Sequence, residues 1–128
     1  MSGVNFSVIE SKALQLGNNK FEQGTISVAA NKTVKAGTIL KRDGEKKFAI
    51  LDDIEEDAPV AIVPFDMKNE SGVTVNLGFR AITGGEVRKD MLNLNGSTAI
   101  TSAIVDSLRD HCGITAVDST DVSRVNPE

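Results

Sequence analysis

Thr33-Val-Lys-Ala-Gly-Thr-Ile-Leu-Lys-Arg-Asp-Gly-Glu-Lys-Lys-Phe-Ala-Ile-Leu51 decides the fold, because two short apolar runs meet there across Lys41-Arg42-Asp43-Gly44. An Asp-Gly step suits a reversal in which backbone φ turns positive, so the stretch reads as a β-hairpin. A second turn signal, Ala36-Gly37, comes just before it. The segment holds no histidine, no cysteine and no serine beside a base, so it is architecture rather than chemistry.

Working outward, Thr25-Ile-Ser-Val-Ala29 alternates as a strand does and Asn31-Lys32 turns. Asp52-Asp-Ile-Glu-Glu-Asp57 is an acidic run that reads as a solvated loop. Val60-Ala-Ile-Val-Pro-Phe65 reads as a buried strand, with Pro64 at an edge or bend. Val73, Val75, Leu77, Phe79 and Ala81 alternate with polar or small partners until Gly84-Gly85, where the strand is expected to break, with Glu86-Val87-Arg88 able to resume pairing. A helix is expected from about Ala99 to Cys112, with Ile100, Ala103, Ile104, Leu108 and Cys112 on one stripe. Ser97 or Thr98 can cap its start, and Gly113 can take the left-handed conformation at its end. Residues 1–23 read as an extended arm with room for one strand, 24–117 as the folded domain and 118–128 as a loose tail. The fold class is mainly β, a small α+β domain of short strands with one C-terminal helix.

Composition narrows the function. The 128 residues suit one domain, able to bury roughly two-thirds of the surface of the unfolded chain. With five Phe and neither Trp nor Tyr, a stacking platform for bases is not expected, and a net charge of −4 argues against a general nucleic-acid binder. No apolar run approaches the roughly 20 residues of a membrane span, and Met1-Ser-Gly-Val-Asn-Phe-Ser7 lacks the pattern of a signal peptide. Neither a membrane nor direct nucleic-acid contact is expected, and synthesis in a cytosol is.

The chemical candidates reduce to bland readings. His111 and Cys112 are neighbours on a helix and point about 100° apart, so Cys112 reads as a buried apolar residue and His111 as a helix-end residue. The acidic run lacks the spacing and central glycine of a calcium loop. Asp66 reads as a strand-end residue facing water, and Gly84-Gly85 and Ala36-Gly37-Thr38 as turns rather than phosphate cradles. No nucleophile, base and orienting group can be assembled, so no catalytic residue, metal or cofactor is expected and the chain reads as a non-enzyme. One charged feature stands out: Lys35, Lys41, Arg42, Lys46 and Lys47 gather positive charge around the hairpin of an acidic protein. They read either as a solvated edge or as an electrostatic docking surface for an acidic partner.

Taken together, Thr25 to Leu40, the hairpin, Ala58-Pro-Val-Ala-Ile-Val63, Gly85-Glu-Val-Arg-Lys-Asp-Met-Leu92 and the closing helix with Cys112-Gly-Ile114 resemble the head decoration proteins of lambda-type tailed phages. The resemblance covers about residues 24 to 115. It implies a β-clip (β-tulip) subunit, made in the host cytoplasm and carried on the outer surface of the virion. Such a subunit acts as a homotrimer at threefold and quasi-threefold positions and stabilises the expanded capsid against packaged DNA. The partner so implied is the major capsid protein. In that family the N-terminal segment can add a strand to it, and here Val4, Phe6 and Val8 alternate suitably for that role. The Ala-Gly-Thr-Ile-Leu phrase also resembles SAF-type modules of the same β-clip fold. A SAF-type binding module and the base of a head fibre or spike therefore stay open as alternatives.

Overall fold

The computed structural model describes residues 14–118. Eight strands, a single 3-10 turn and one helix follow in order: β1 (Gln15–Val28), β2 (Thr33–Val34), β3 (Ile39–Arg42), β4 (Lys47–Ile50), β5 (Ala61–Ile62), β6 (Met67–Lys68), β7 (Val75–Arg88), the turn Lys89–Met91, α1 (Ser102–Cys112) and β8 (Ile114–Val117). The domain is mainly β with one helix near its C-terminal end, the class expected from the pattern.

The sheet closes on itself. Strands pair in the order β1-β4-β3-β5-β7, and β7 pairs back onto β1 along eleven positions from Gln15↔Val87 to Val28↔Val75. β8 adds to the outer side of β7 in parallel, while β2 and β6 form a separate two-stranded piece. Closure leaves few unpaired edges, and β8 is the outermost strand.

Alternation sends side chains to two separate cores. Ile26, Val28, Leu40, Phe48, Ala61, Val63, Phe79 and Ala81 fill the interior of the ring, with Met67 beside them. Leu14, Ile39, Ile62, Ile82, Val87, Leu92, Ile104, Leu108 and Ile114 lie together in a second core, which includes the buried side of α1. The wall formed by β3, β5 and β7 is therefore buried on both faces. That explains why Ala61-Ile62-Val63 is continuously apolar: Ile62 faces one core and its two neighbours face the other.

The hairpin forms as expected, with Leu40↔Ile50, Lys41↔Ala49 and Arg42↔Phe48 opposite each other and positive φ at Gly44 (120°) and Lys46 (60°). Three expectations need correction. The arm does not run to residue 23, because Gln15–Gln23 already belongs to β1. Its pairing with β7 is irregular between Gln15 and Phe21 and includes Asn18 at φ 52°, so the alternation that reveals a strand is lost there. Gly84-Gly85 does not end β7 either. At Gly85 (φ 97°) a Cβ would lie 2.6 Å from the Asn18 carbonyl oxygen, so the glycine lets the two strands approach and the strand runs on to Arg88. The helix starts at Ser102, capped by the Thr101 hydroxyl, which accepts from Ile104 N at 3.4 Å. Ser97 is held elsewhere, paired with Leu94 across an Asn95-Gly96 turn with positive φ at both residues. Ala103 is exposed rather than on the buried stripe, which Ile104 and Leu108 form. The C-terminal cap is as expected, with Gly113 left-handed at φ 67° and both Leu108 and Ile114 fully buried. Val4, Phe6 and Val8, and the tail beyond Asp118, lie outside the described residues.

Gly37 is the tightest point in the domain. At φ 89°, a Cβ there would lie 1.7 Å from the Met91 carbonyl oxygen. Gly37→Ala should destabilise the domain by about 3 kcal/mol, combining roughly 1–2 for backbone strain with 1–3 for forced displacement. Gly72→Ala, with nothing within 4 Å, should stay within about 0.5 kcal/mol. Urea midpoints of the two variants check this; equal midpoints would show that the 89–93 segment moves aside freely.

Candidate functional site

The basic hairpin is partly self-neutralised. Arg42 lies on β3 opposite Phe48 and reaches across to β1, donating from both terminal nitrogens to the Glu22 carboxylate at 2.7 and 3.1 Å. Its guanidinium also lies 5.0 Å from the centre of the Phe48 ring. The hydrogen bond from Arg42 holds the Glu22 carboxyl below its usual range and raises Arg42 in turn. Lys41 donates to Asp57 at 3.2 Å, which ties the hairpin to the acidic loop and raises the lysine. Lys46 and Lys47 are exposed beside the turn, with no salt bridge among the described residues. Of the four candidates, Lys41 and Arg42 are held in ion pairs, whereas Lys46 and Lys47 are exposed and in no salt bridge among the described residues.

A groove of about 360 Å³ opens beside the Gly37 turn, lined by Thr33, Val34, Lys35, Thr38, Ile50, Asn93, Asn95, Gly96 and Thr98. Its frame is backbone. Gly37 N donates to Val63 O at 2.8 Å, Asn93 N to Gly37 O at 2.9 Å, and Ile39 N to Asn93 O at 3.1 Å. The Thr38 hydroxyl is 2.7 Å from the Lys35 carbonyl it donates to, and Asp66 accepts from Ala36 N at 2.8 Å. Asp66 is thus exposed, as expected, and also fixes the turn. Lys35 is legible in the sequence as one of the basic group and Thr98 only as a helix-cap candidate, whereas Asn93 and Asn95 are not singled out there. The Asn95-Gly96 dipeptide, a strong hairpin signal, is what could have placed them.

The remaining candidates behave as structural groups. The Cys112 thiol is half-buried and 3.2 Å from the Pro59 carbonyl oxygen, and burial pushes its pKa up to about 12. His111 is exposed in the last turn of α1. Among the described residues no three of His, Cys, Asp and Glu gather as metal ligands, and no helix is long and apolar enough to cross a membrane. No family model, curated protein or solved structure matches the chain.

Two measurements probe these environments. Raising a thiol from its ordinary value near 8.5 to about 12 should slow alkylation of Cys112 on the order of a thousandfold in native protein relative to urea-unfolded chain; similar rates in both states would contradict the burial. For Glu22, whose folded pKa is depressed, the bridge to Arg42 contributes above the unfolded value of about 4.3 and fades as pH falls through the lower folded value. Glu22→Gln should therefore cost about 0.5 kcal/mol at pH 7 and progressively less as pH falls below the unfolded value, read from urea midpoints across that range.

Proposed function

We propose that the chain is a phage or prophage capsid decoration protein of the lambda type. In this reading it is a non-catalytic subunit that binds expanded heads as a homotrimer at threefold and quasi-threefold positions, on the outer surface of the virion. The observation that supports this reading is where the resembling blocks fall. The Ala36-Gly37-Thr38 turn abuts Met91 and Asn93 at the end of the Gly85–Leu92 block, while Ile39, Ile62, Val87, Leu92, Leu108 and Ile114 share one core. Parts of the phrases that carry the resemblance thus meet in one region of the domain, which supports reading them together.

A subunit of this kind gains affinity by repetition. Three copies engaging a symmetric lattice make the second and third contacts intramolecular, and bound trimers favour the assembled shell by mass action. Val4, Phe6 and Val8 would give the arm a strand-adding face toward the major capsid protein, and Lys46 and Lys47 would steer approach to an acidic surface.

The groove beside Lys35 favours a second reading, a SAF-type binding module that takes a small polar ligand there as a monomer. Sedimentation of the protein with expanded and unexpanded shells of its cognate major capsid protein separates the two. Near-stoichiometric binding to expanded shells alone is expected. Lys46→Ala with Lys47→Ala should slow association several-fold at low salt and little at high salt. Equal binding to both shell forms, or none, would overturn the decoration reading.

A further inference from the structure

The groove beside the Gly37 turn is lined by hydrogen-bond donors and by no carboxylate, although the chain carries a net charge of −4. Lys35 is exposed there and in no salt bridge among the described residues. Asn93 is oriented by its own bonds: its side-chain oxygen accepts from the Thr38 hydroxyl at 3.3 Å and from Gly96 N at 3.1 Å. Its amide nitrogen keeps both protons free of any partner among the described residues and is open to solvent. The nearby carboxylates are engaged elsewhere, Asp52 by the Asn95 amide and Asp66 by Ala36 N.

β2 borders the same groove with an unused backbone edge. Thr33 stands opposite Lys68 of β6, and Lys32 O accepts from Asn69 N at 2.9 Å. In an antiparallel ladder, bonds that flank a residue pair leave that pair's own N–H and C=O pointing outward. The Thr33 N–H and C=O therefore point away from β6, toward the side where the groove lies, since no β6 residue lines it. Neither group has a partner among the described residues.

We infer that this groove binds an extended peptide segment carrying an aspartate or glutamate, its backbone paired with Thr33 and its carboxylate held by the Lys35 ammonium and the Asn93 amide. Each group finds its complement. Two donors without acceptors call for an acceptor-only group, and a carboxylate gains charge-assisted bonds from the lysine where a basic segment would be repelled. The outward N–H and C=O of Thr33 call for a second backbone, which a free acid lacks. A volume of about 360 Å³ is at the low end for ligand pockets and suits a short stretch of chain. This site is separate from the Lys46 and Lys47 charges, so its failure would leave the decoration reading standing.

Amide NMR titration of the isotope-labelled full-length protein tests it with two pools of end-blocked hexapeptides. The pools are randomised except at the third residue, which is glutamate in one and glutamine in the other. The glutamate pool should shift the Thr33, Lys35 and Asn93 signals and bind at least about fivefold more tightly than the glutamine pool. Lys35→Ala should remove most of that difference. Asn93→Asp should do the same while the urea midpoint holds, because the new side chain keeps the oxygen that Thr38 and Gly96 donate to. Thr33→Pro, which removes only an N–H that faces away from β6, should weaken both pools. Equal affinity for the two pools, or no shifts at these residues with either, would overturn the proposal. So would glutarate binding as tightly as the glutamate pool, since that would assign the groove to a free acid.

Discussion

The domain depends on the close approach of two backbones at Gly37. The Met91 carbonyl oxygen occupies the space that any Cβ at Gly37 would need, so the turn can be made only by glycine without displacing the chain opposite. From that point hydrogen bonds run to Val63 on one side and Asn93 on the other. A turn early in the sequence is thereby joined to the strand leading into the ring and to the segment between β7 and α1. The groove, the second core and the approach to the helix are all positioned by this one contact.

Burial on two faces gives that junction its rigidity. A sheet with one wet face would show simple alternation, but the wall of β3, β5 and β7 separates two cores and so must be apolar on both sides where they overlap. Where only one face is covered, the pattern reverts. On β7, Asn76, Gly78 and Arg80 are exposed between the more buried Leu77, Phe79 and Ala81. Asn69 holds the far end together: it is almost fully buried, its amide nitrogen lies within 2.8 to 3.1 Å of the Val28, Ala29 and Val73 carbonyls, and its oxygen accepts from Ser71.

These physical facts determine what could be read in advance. The Asp43-Gly44 hairpin, the acidic loop, the buried run at 60–63 and the Gly113 cap rest on local rules, and each was legible from residue type and spacing. The first half of β1 was not, because strand irregularities around Gly17, Asn18 and Asn19 erase the period of two. Continuation of β7 through Gly84-Gly85 was hidden for a related reason. A glycine pair signals a turn unless another backbone approaches it, and that approach comes from a segment some 65 residues away. The helix start was misplaced because a long-range frame holds Asn93 while a local turn keeps Ser97 out of the helix. Of the site, Lys35 and the hairpin cations were visible, but their division into paired and free charges depends on Glu22 and Asp57, which neighbour them only in the fold.

That division bears on how such a domain could recognise anything. Lys41, Arg42 and Arg88 already have carboxylate partners, and no buried side-chain nitrogen or oxygen among the described residues lacks a hydrogen bond. Side-chain chemistry is therefore largely spent on holding the fold. Among the described residues, what remains includes exposed charges without a salt bridge, Lys46 and Lys47 at the hairpin and Lys32, Lys35 and Lys68 elsewhere, and the unpaired backbone of an edge strand. Exposed charges mainly change how fast a partner arrives, whereas strand pairing supplies directional bonds that set register and slow departure. A binder with these two resources gains little specificity from a single contact. It does better when several copies or several segments engage together, the regime in which modest contacts on a symmetric surface add up to firm attachment.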